Sequence, residues 1–359
     1  MAHAAAKSSN DIWDIAFSHD LPRSRWLAAA LIVIVVGLAF APVFFPGSKA
    51  LGVAAKMLVF ILLVASYDLL LGYTGIVSFA HTMFFGIGAY GVAIASSRIG
   101  PGFGAVALGL ALALVASLAL SLVIGLASLR VKAIFFAMIT LAVAAAFQTL
   151  ASQLSDFTGG EDGLTFSNPE WLSPAFEGAG FDGRHFTYWL MFAVVALAFL
   201  ALLRVVNSPF GRVLQAIREN EFRAEAIGFR VVAYRTVSNV LAALGATLAG
   251  ALLALWLRYT GPDTTLSFEI MLDVLLIVVI GGMGTLYGAV IGSVLFVLAQ
   301  NYLQDLLKLA GGAVEGLPLL PAILTPDRWL LWLGVLFVLS VYHFPSGIVG
   351  RLRSIRSRA

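Results

Sequence analysis

The sequence predicts an all-α membrane protein, a polytopic bundle of about ten transmembrane helices with both termini cytoplasmic. Three observations carry that expectation. Of 359 residues, 60% are apolar and only 11% are charged, whereas a globular protein facing water carries about 25% charged residues. Apolar runs of about 20 residues, the length that crosses a bilayer, recur along the whole chain. The basic residues, in turn, gather in segments that one membrane topology places on a single side. This composition excludes a soluble enzyme, a disordered chain and a nucleic-acid binder. The chain has no cysteine, which removes disulfides, thiol catalysis and thiolate metal sites.

Taken in order, residues 1–25 are polar and mixed in charge and form a cytoplasmic N-terminal segment. Within it, Asp11 to Phe17 reads either as a short helix on the membrane surface or as a frayed tail. The stretch Trp26 to Phe45 is too long for a signal-peptide core and lacks a small-residue cleavage site, so it is expected to be retained. Further spans are expected at 51–71, 76–97, 105–129, 133–153, 188–206, 234–258 and 329–345. The apolar block 268–304 is too long for one span. Its Gly281-Gly282-Met283-Gly284-Thr285 run suits a break between two helices. The membrane domain is thus 26–345, followed by a basic cytoplasmic tail at 346–359.

Ten spans satisfy the positive-inside rule and nine do not. With ten, Lys7, Arg130, Lys132, the arginines between 204 and 235 and the four arginines of the tail all lie inside. Fifteen basic residues are then cytoplasmic against six outside. Nine spans would put Arg351, Arg353, Arg356 and Arg358 outside. The long external loop, 154–187, carries Asp156, Glu161, Asp162, Glu170, Glu177 and Asp182 against Arg184 alone. The paired acids Glu161 and Asp162 lie in a flexible, Gly-rich stretch and read as solvated.

Ionisable residues within the spans are few: Lys56, Asp68 and Asp273. An intramembrane charge costs about 2.5–3.5 kcal/mol on insertion scales, so a retained one commonly has a function. All three sit toward the ends of their spans, where snorkelling or hydration accounts for them. His81 reads as a packed, hydrogen-bonded side chain rather than a proton relay. No membrane helix carries paired carboxylates, and no zinc-binding HExxH spacing occurs. Nor is there a GxxxxGK[ST] phosphate loop, so the chain is not expected to be an enzyme. If ATP drives it, another polypeptide binds the nucleotide.

Residues 207–233 form the most informative cytoplasmic loop. Ser208 and Pro209 make a helix start, with a hydroxyl cap and then proline where its missing N–H costs nothing. Gly228 suits the left-handed C-terminal cap. Between them Phe210, Val213, Leu214, Ile217, Ala224 and Ile227 recur at near-helical spacing, giving an amphipathic helix over 209–228. Such a helix either lies on anionic lipid through its arginines or docks in a groove on a soluble partner.

The stretch Arg218-Glu219-Asn220-Glu221-x-Arg223-Ala224-Glu225-Ala226-x-Gly228 resembles the cytoplasmic loop of ABC importer permeases of the branched-chain amino acid (LivM-type) family. Three other stretches resemble that family in the expected order. They are Gly72-Tyr73-Thr74-Gly75-Ile76-Val77-Ser78-Phe79-Ala80-His81, Thr158-Gly159-Gly160-Glu161-Asp162-Gly163-Leu164 and Gly281-Gly282-Met283-Gly284-Thr285-Leu286-Tyr287-Gly288. The resemblance covers roughly 68–300 and is weakest over 311–328.

It implies a permease subunit of an ATP-driven, binding-protein-dependent importer for branched-chain or other small amino acids, or related small polar solutes such as urea and short amides. The implied partners are two ATP-binding cassette subunits, a second related permease, a periplasmic or extracellular solute-binding protein and membrane lipid, with no nucleic acid. ATP and Mg would be bound by the ATPase and no cofactor by this chain. The implied location is the bacterial cytoplasmic (inner) membrane.

Arg218, Glu219, Glu221, Ala224, Glu225 and Gly228 are the implied ATPase contacts. Gly72, Gly75, Gly281, Gly282 and Gly284 are helix breaks, read as gate hinges or as ordinary tight turns. Gly284, Gly288 and Gly292 recur four apart, which fits close packing within one bundle or against a second permease. Ser78, Thr82, Tyr90, Gln148 and Asn239 offer polar groups for a weakly charged translocation pathway. The alternative reading is an ion-coupled secondary transporter of a small polar solute, with the arginine-rich loop binding lipid.

Overall fold

Helices occupy every predicted span in the computed structural model. It describes residues 25–44, 47–128, 133–173, 176–178, 181–313, 325, 328–344 and 347–354. We number the principal helices in chain order. They are α1 (Arg25–Ala39), α2 (Ser48–Asp68), α3 (His81–Ile99), α4 (Phe103–Ser128), α5 (Ala133–Gln153) and α6 (Gly183–Val206). Then follow α7 (Pro209–Glu219), α8 (Glu221–Ala226), α9 (Val231–Leu257), α10 (Phe268–Gly281), α11 (Leu286–Ala313), α12 (Trp329–His343) and α13 (Gly347–Ser354). Among the described residues, eight helices are long and apolar enough to cross a membrane, and α1 is apolar but shorter. The chain is a multi-pass membrane protein.

Helices α2, α3 and α9 form the centre. Helix α2 is buried from Met57 to Leu70 and α3 from His81 to Tyr90. Peripheral helices face apolar surroundings instead: Leu112, Val123, Met138 and Leu330 are each more than 60% exposed. In a bilayer there is no hydrophobic drive to hide such side chains, so helix association relies on close packing of small residues. The α3–α9 crossing shows this in both directions. A Cβ on Gly88 would lie 1.8 Å from the Thr247 carbonyl oxygen, and one on Gly250 1.8 Å from that of Phe85. Gly88→Val or Gly250→Val is therefore expected to separate the two central helices. We expect each to lower the melting temperature in detergent by a few degrees, from an overpacking cost of about 1–3 kcal/mol; an unchanged melting curve would count against this crossing.

Several boundaries differ from the sequence expectation. Helix α2 does not stop at Leu71 but continues as a wide π-helical turn, Leu69–Thr74, closed by Gly75 in the left-handed region (φ 75°). Helix α3 consequently starts at His81 rather than residue 76. Its histidine is packed and bonded, with Nε2 3.0 Å from Ser66 Oγ and the ring against Tyr67. Helix α6 begins at Gly183, five residues earlier than expected.

The segment between α5 and α6 is folded down rather than loose. Strand β1 (Leu164–Thr165) pairs antiparallel with β4 (Tyr259–Thr260), and β2 (Glu177–Gly178) with β3 (Phe181–Asp182). Gly159, Gly160 and Gly163 all take positive φ, so the Thr-Gly-Gly stretch is a compact turn. Glu161 and Asp162 are exposed there. The surface helix considered at 11–17, most of 311–328 and the last residues of the basic tail lie outside the described residues.

Candidate functional site

The α7–α8 loop folds as two helices, not the single one expected over 209–228. Asn220 separates them because its backbone is extended (φ −158°, ψ 100°). Its side-chain oxygen then accepts the Arg223 N–H at 2.9 Å, capping α8. Ser208 stands at the start of α7 but supplies no cap bond; its hydroxyl donates backward to the Val205 carbonyl at 2.6 Å. Gly228 ends α8 with φ 96°, as a left-handed cap requires.

The apolar side of this loop is turned into the protein. Gly211, Leu214 and Ile217 of α7 are buried, and Ile217 packs with Ala224 and Val231. Phe210 stacks on Tyr234 of α9 with ring centroids 5.6 Å apart. Glu221 forms a two-pronged ion pair with Arg235, at 2.5 and 2.9 Å, which clasps α8 to α9. Yet two large apolar side chains point outward: Phe222 is 83% exposed and Ile227 67%.

Arg218, at the end of α7, reaches the π-helical turn, where its guanidinium donates to the Gly72 carbonyl. The same turn meets the start of α11. Asp68, 1% exposed, accepts the Gly284 N–H through Oδ1 at 2.9 Å. Only glycine fits between them, because a Cβ on Gly72 would lie 2.0 Å from Asp68 Oδ1 and 2.3 Å from the Gly284 nitrogen. Gly284 itself takes φ 79°. Nearby, Thr74 Oγ1 donates to the Leu69 carbonyl at 2.8 Å and lies 3.0 Å from Ser238 Oγ of α9. Three segments far apart in sequence therefore meet at one junction: the early glycine break, the loop arginine and the late glycine break.

Of the implied contact residues, Glu219, Glu221, Glu225 and Gly228 are on the outer surface of the loop and Arg218 is directed into the junction. Ala224, 2% exposed, faces the bundle and cannot touch a partner without the loop unfolding. Gly72 and Gly284 are in the junction, Gly75 closes the π-turn against Arg218, and Gly281 and Gly282 end α10. Gly288 and Gly292 pack α11 against α10, since added Cβ atoms would meet the carbonyls of Gly281 and Ile277 at 2.8 and 2.6 Å. That is packing within one bundle. Gly284 precedes α11 and does not share its face.

The five candidate pathway residues are dispersed. Ser78 and Thr82 are buried around the start of α3, and Asn239 donates its amide to the Ser121 carbonyl at 3.0 Å. Gln148 is half-buried on α5. Tyr90 lines a groove of about 550 Å³ between α3, α4 and α5, together with Ile87, Ile94, Leu112 and Phe147. Those apolar walls suit acyl chains or helix side chains rather than a polar solute.

The permease-component family of branched-chain amino acid transport systems matches residues 49–341, which include the loop, the junction and both glycine breaks. The chain belongs to this family. Similar proteins include the high-affinity branched-chain amino acid transport system permease protein LivM of Salmonella typhimurium. It is 26% identical over 334 residues, covering 86% of this chain and 75% of that protein. The LivM protein of Escherichia coli is 25% identical, covering 83% and 74%. A probable LivM of Methanocaldococcus jannaschii is 27% identical over 77% of this chain and 80% of its own. No solved structure matches significantly.

As an ABC-transporter permease, the chain is a transport component rather than an enzyme. Among the described residues no group of His, Cys, Asp and Glu is placed to hold a metal ion. Sequence reasoning missed Phe222, although a large apolar side chain amid Glu221, Arg223 and Glu225 was a usable signal. It noted Asp68 without its partner, which lies 216 residues further on and carries no local signature.

Proposed function

We propose that this chain is the membrane-spanning subunit of an ATP-driven, binding-protein-dependent importer of branched-chain or other small amino acids, located in the bacterial inner membrane. Two ATP-binding cassette subunits, which carry ATP and Mg, dock on the cytoplasmic α7–α8 loop. A second related permease completes the pathway, and a solute-binding protein delivers substrate at the opposite end. The LivM relatives support the substrate class, and urea and short amides are the neighbouring solutes to test.

The Arg218–Gly72 and Asp68–Gly284 junction carries this reading. A loop that only rested on lipid would have no need to reach both helix breaks. In the proposed mechanism the ATPase moves α7 and α8 when it binds nucleotide. Arg218 passes that displacement to the π-turn, and Asp68 links the turn to the α10–α11 break. Alternating access then follows as a shift between two packed arrangements, which ATP biases only because the loop has different contacts in each.

The test is a mild-detergent pull-down of the tagged chain from its native membranes, with partner sequences read by mass spectrometry. The expected partners are a second permease and soluble subunits carrying a GxxxxGK[ST] loop. A stable homo-oligomer without any ATPase, together with uptake that follows an ion gradient, would replace this reading by ion-coupled transport.

A further inference from the structure

Helix α13 reaches the same α10–α11 break that the junction holds through Gly284. It packs against α10, α11 and α1, and its Val349 is fully buried within the main core. At its first residue the approach is backbone on backbone. Gly347 takes φ 74°, and a Cβ there would run into the Gly282 backbone. Gly282 itself ends α10 with φ 114°. In so close a contact the break cannot change its angle at Gly282 unless α13 slides or lifts. Arg218 of α7 stands beside Gly284, so α13 lies at the same end of the bundle as the α7–α8 loop.

The outward side of α13 meets the lipid boundary. None of the residues of α12, the helix before it, is buried, and Leu330, Val338 and Tyr342 are each more than 60% exposed. Acyl chains surround such a helix. Arg351 is exposed and is fastened to its end. Its Nη1 donates to the His343 carbonyl at 2.8 Å, and its guanidinium lies over the Phe344 ring, 5.0 Å from the centroid. The charge therefore stands where a lipid-facing helix leaves the hydrocarbon, at headgroup depth. Along the sequence Arg353, Arg356 and Arg358 follow, and no acidic residue occurs after Asp327.

We propose that α13 is a docking site for anionic phospholipid headgroups, seated on the α10–α11 break so that lipid charge governs how readily the break moves. Basic clusters directly after a membrane helix attract anionic lipid, and each arginine near the surface adds to the attraction. Headgroups are the occupant because Arg351 is held against the end of a helix that acyl chains surround, where lipid phosphate is the anion at hand. Bound lipid holds α13 down on Gly282; in a neutral bilayer Val349 and its apolar neighbours hold it alone. The site goes beyond the import reading and stands whatever solute is carried.

The test places the full chain in nanodiscs of phosphatidylcholine, alone or mixed with phosphatidylglycerol, and follows amide hydrogen exchange over Val278 to Thr285. The anionic bilayer is expected to slow exchange there about fivefold or more, the effect of one arginine at such a surface. High salt should erase the difference by screening. With Arg351→Gln, Arg353→Gln, Arg356→Gln and Arg358→Gln combined, exchange should be alike in the two bilayers and the melting temperature in detergent unchanged. The four corresponding lysine substitutions should keep the lipid response. Equal exchange of the unsubstituted chain in both bilayers, or a difference that survives in the glutamine variant, would overturn the proposal. Inorganic phosphate giving the same protection in the neutral bilayer would assign the site to a soluble anion instead. Protection that follows co-purified ATPase rather than lipid charge would give this face to that partner and equally end the lipid assignment.

Discussion

Phe222→Asp is expected to strip the ATPase subunits from the purified complex while leaving the membrane domain folded. Phe222 is 83% exposed at the start of α8, on a loop where Leu214, Ile217 and Ala224 are buried and Ile227 is the other large apolar side chain left exposed. Aromatic anchors of this kind cost about 2–4 kcal/mol on truncation when they fill a partner's pocket, equivalent to roughly 30- to 1,000-fold in affinity. A carboxylate in the same pocket adds a desolvation cost. Because so little of Phe222 touches its own chain, the substitution should change thermal stability by no more than about 0.5 kcal/mol. Co-purification from membranes, scored against the unsubstituted chain, reads this directly. Undiminished recovery of ATPase with Phe222→Asp would place the docking surface elsewhere. Glu219 and Glu225 flank the same surface and are expected to tune the association through charge, with smaller effects.

The second large effect is expected at the junction, and it separates assembly from coupling. Asp68→Leu removes the acceptor of the Gly284 N–H and the negative charge opposite Arg218. A buried N–H without a partner costs about 1–3 kcal/mol, which would shift the balance between two permease arrangements by roughly 5- to 150-fold. The complex should still assemble, since Asp68 is far from the exposed face of α8. ATP hydrolysis should then proceed with little uptake of labelled leucine. Asp68→Asn keeps an oxygen that can accept from Gly284 and should fall between the two. Measuring ATPase and uptake on the same proteoliposomes gives the ratio. Full uptake with Asp68→Leu would mean that the α10–α11 break moves independently of the π-turn.

Much of this protein was legible before any coordinates. Hydropathy and charge placed the helices because a bilayer demands about 20 apolar residues per span and leaves basic residues mainly on one side. The helix breaks at Gly75 and Gly282 and the cap at Gly228 were legible for a related reason: these positions take φ of 75°, 114° and 96°, which side chains with a Cβ rarely adopt. The family resemblance rested on the same glycines and on the loop that carries Arg218.

What local sequence could not supply were the pairings. The π-turn that carries α2 on to Thr74 depends on the Thr74 hydroxyl bonding the Leu69 carbonyl and on packing against α9, neither of which has a periodic signature. The split of the loop at Asn220 depended on one side chain choosing to cap α8. Ala224 faces the bundle because α8 lies against α9, a placement that amphipathic spacing alone leaves open. Lys56 reads as the snorkelling end of one helix, and only the packing of α2 against α11 brings it to Gln300.

By itself, then, the sequence determined the solvent, the spans and the loop, since each follows from the residue types within a short window. The tertiary structure alone decided which distant groups meet: Arg218 with Gly72, Asp68 with Gly284, and Lys56 with Gln300. The physical reason is that a buried polar group must find a partner, while its identity is set by helix packing across hundreds of residues rather than by any pattern along the chain.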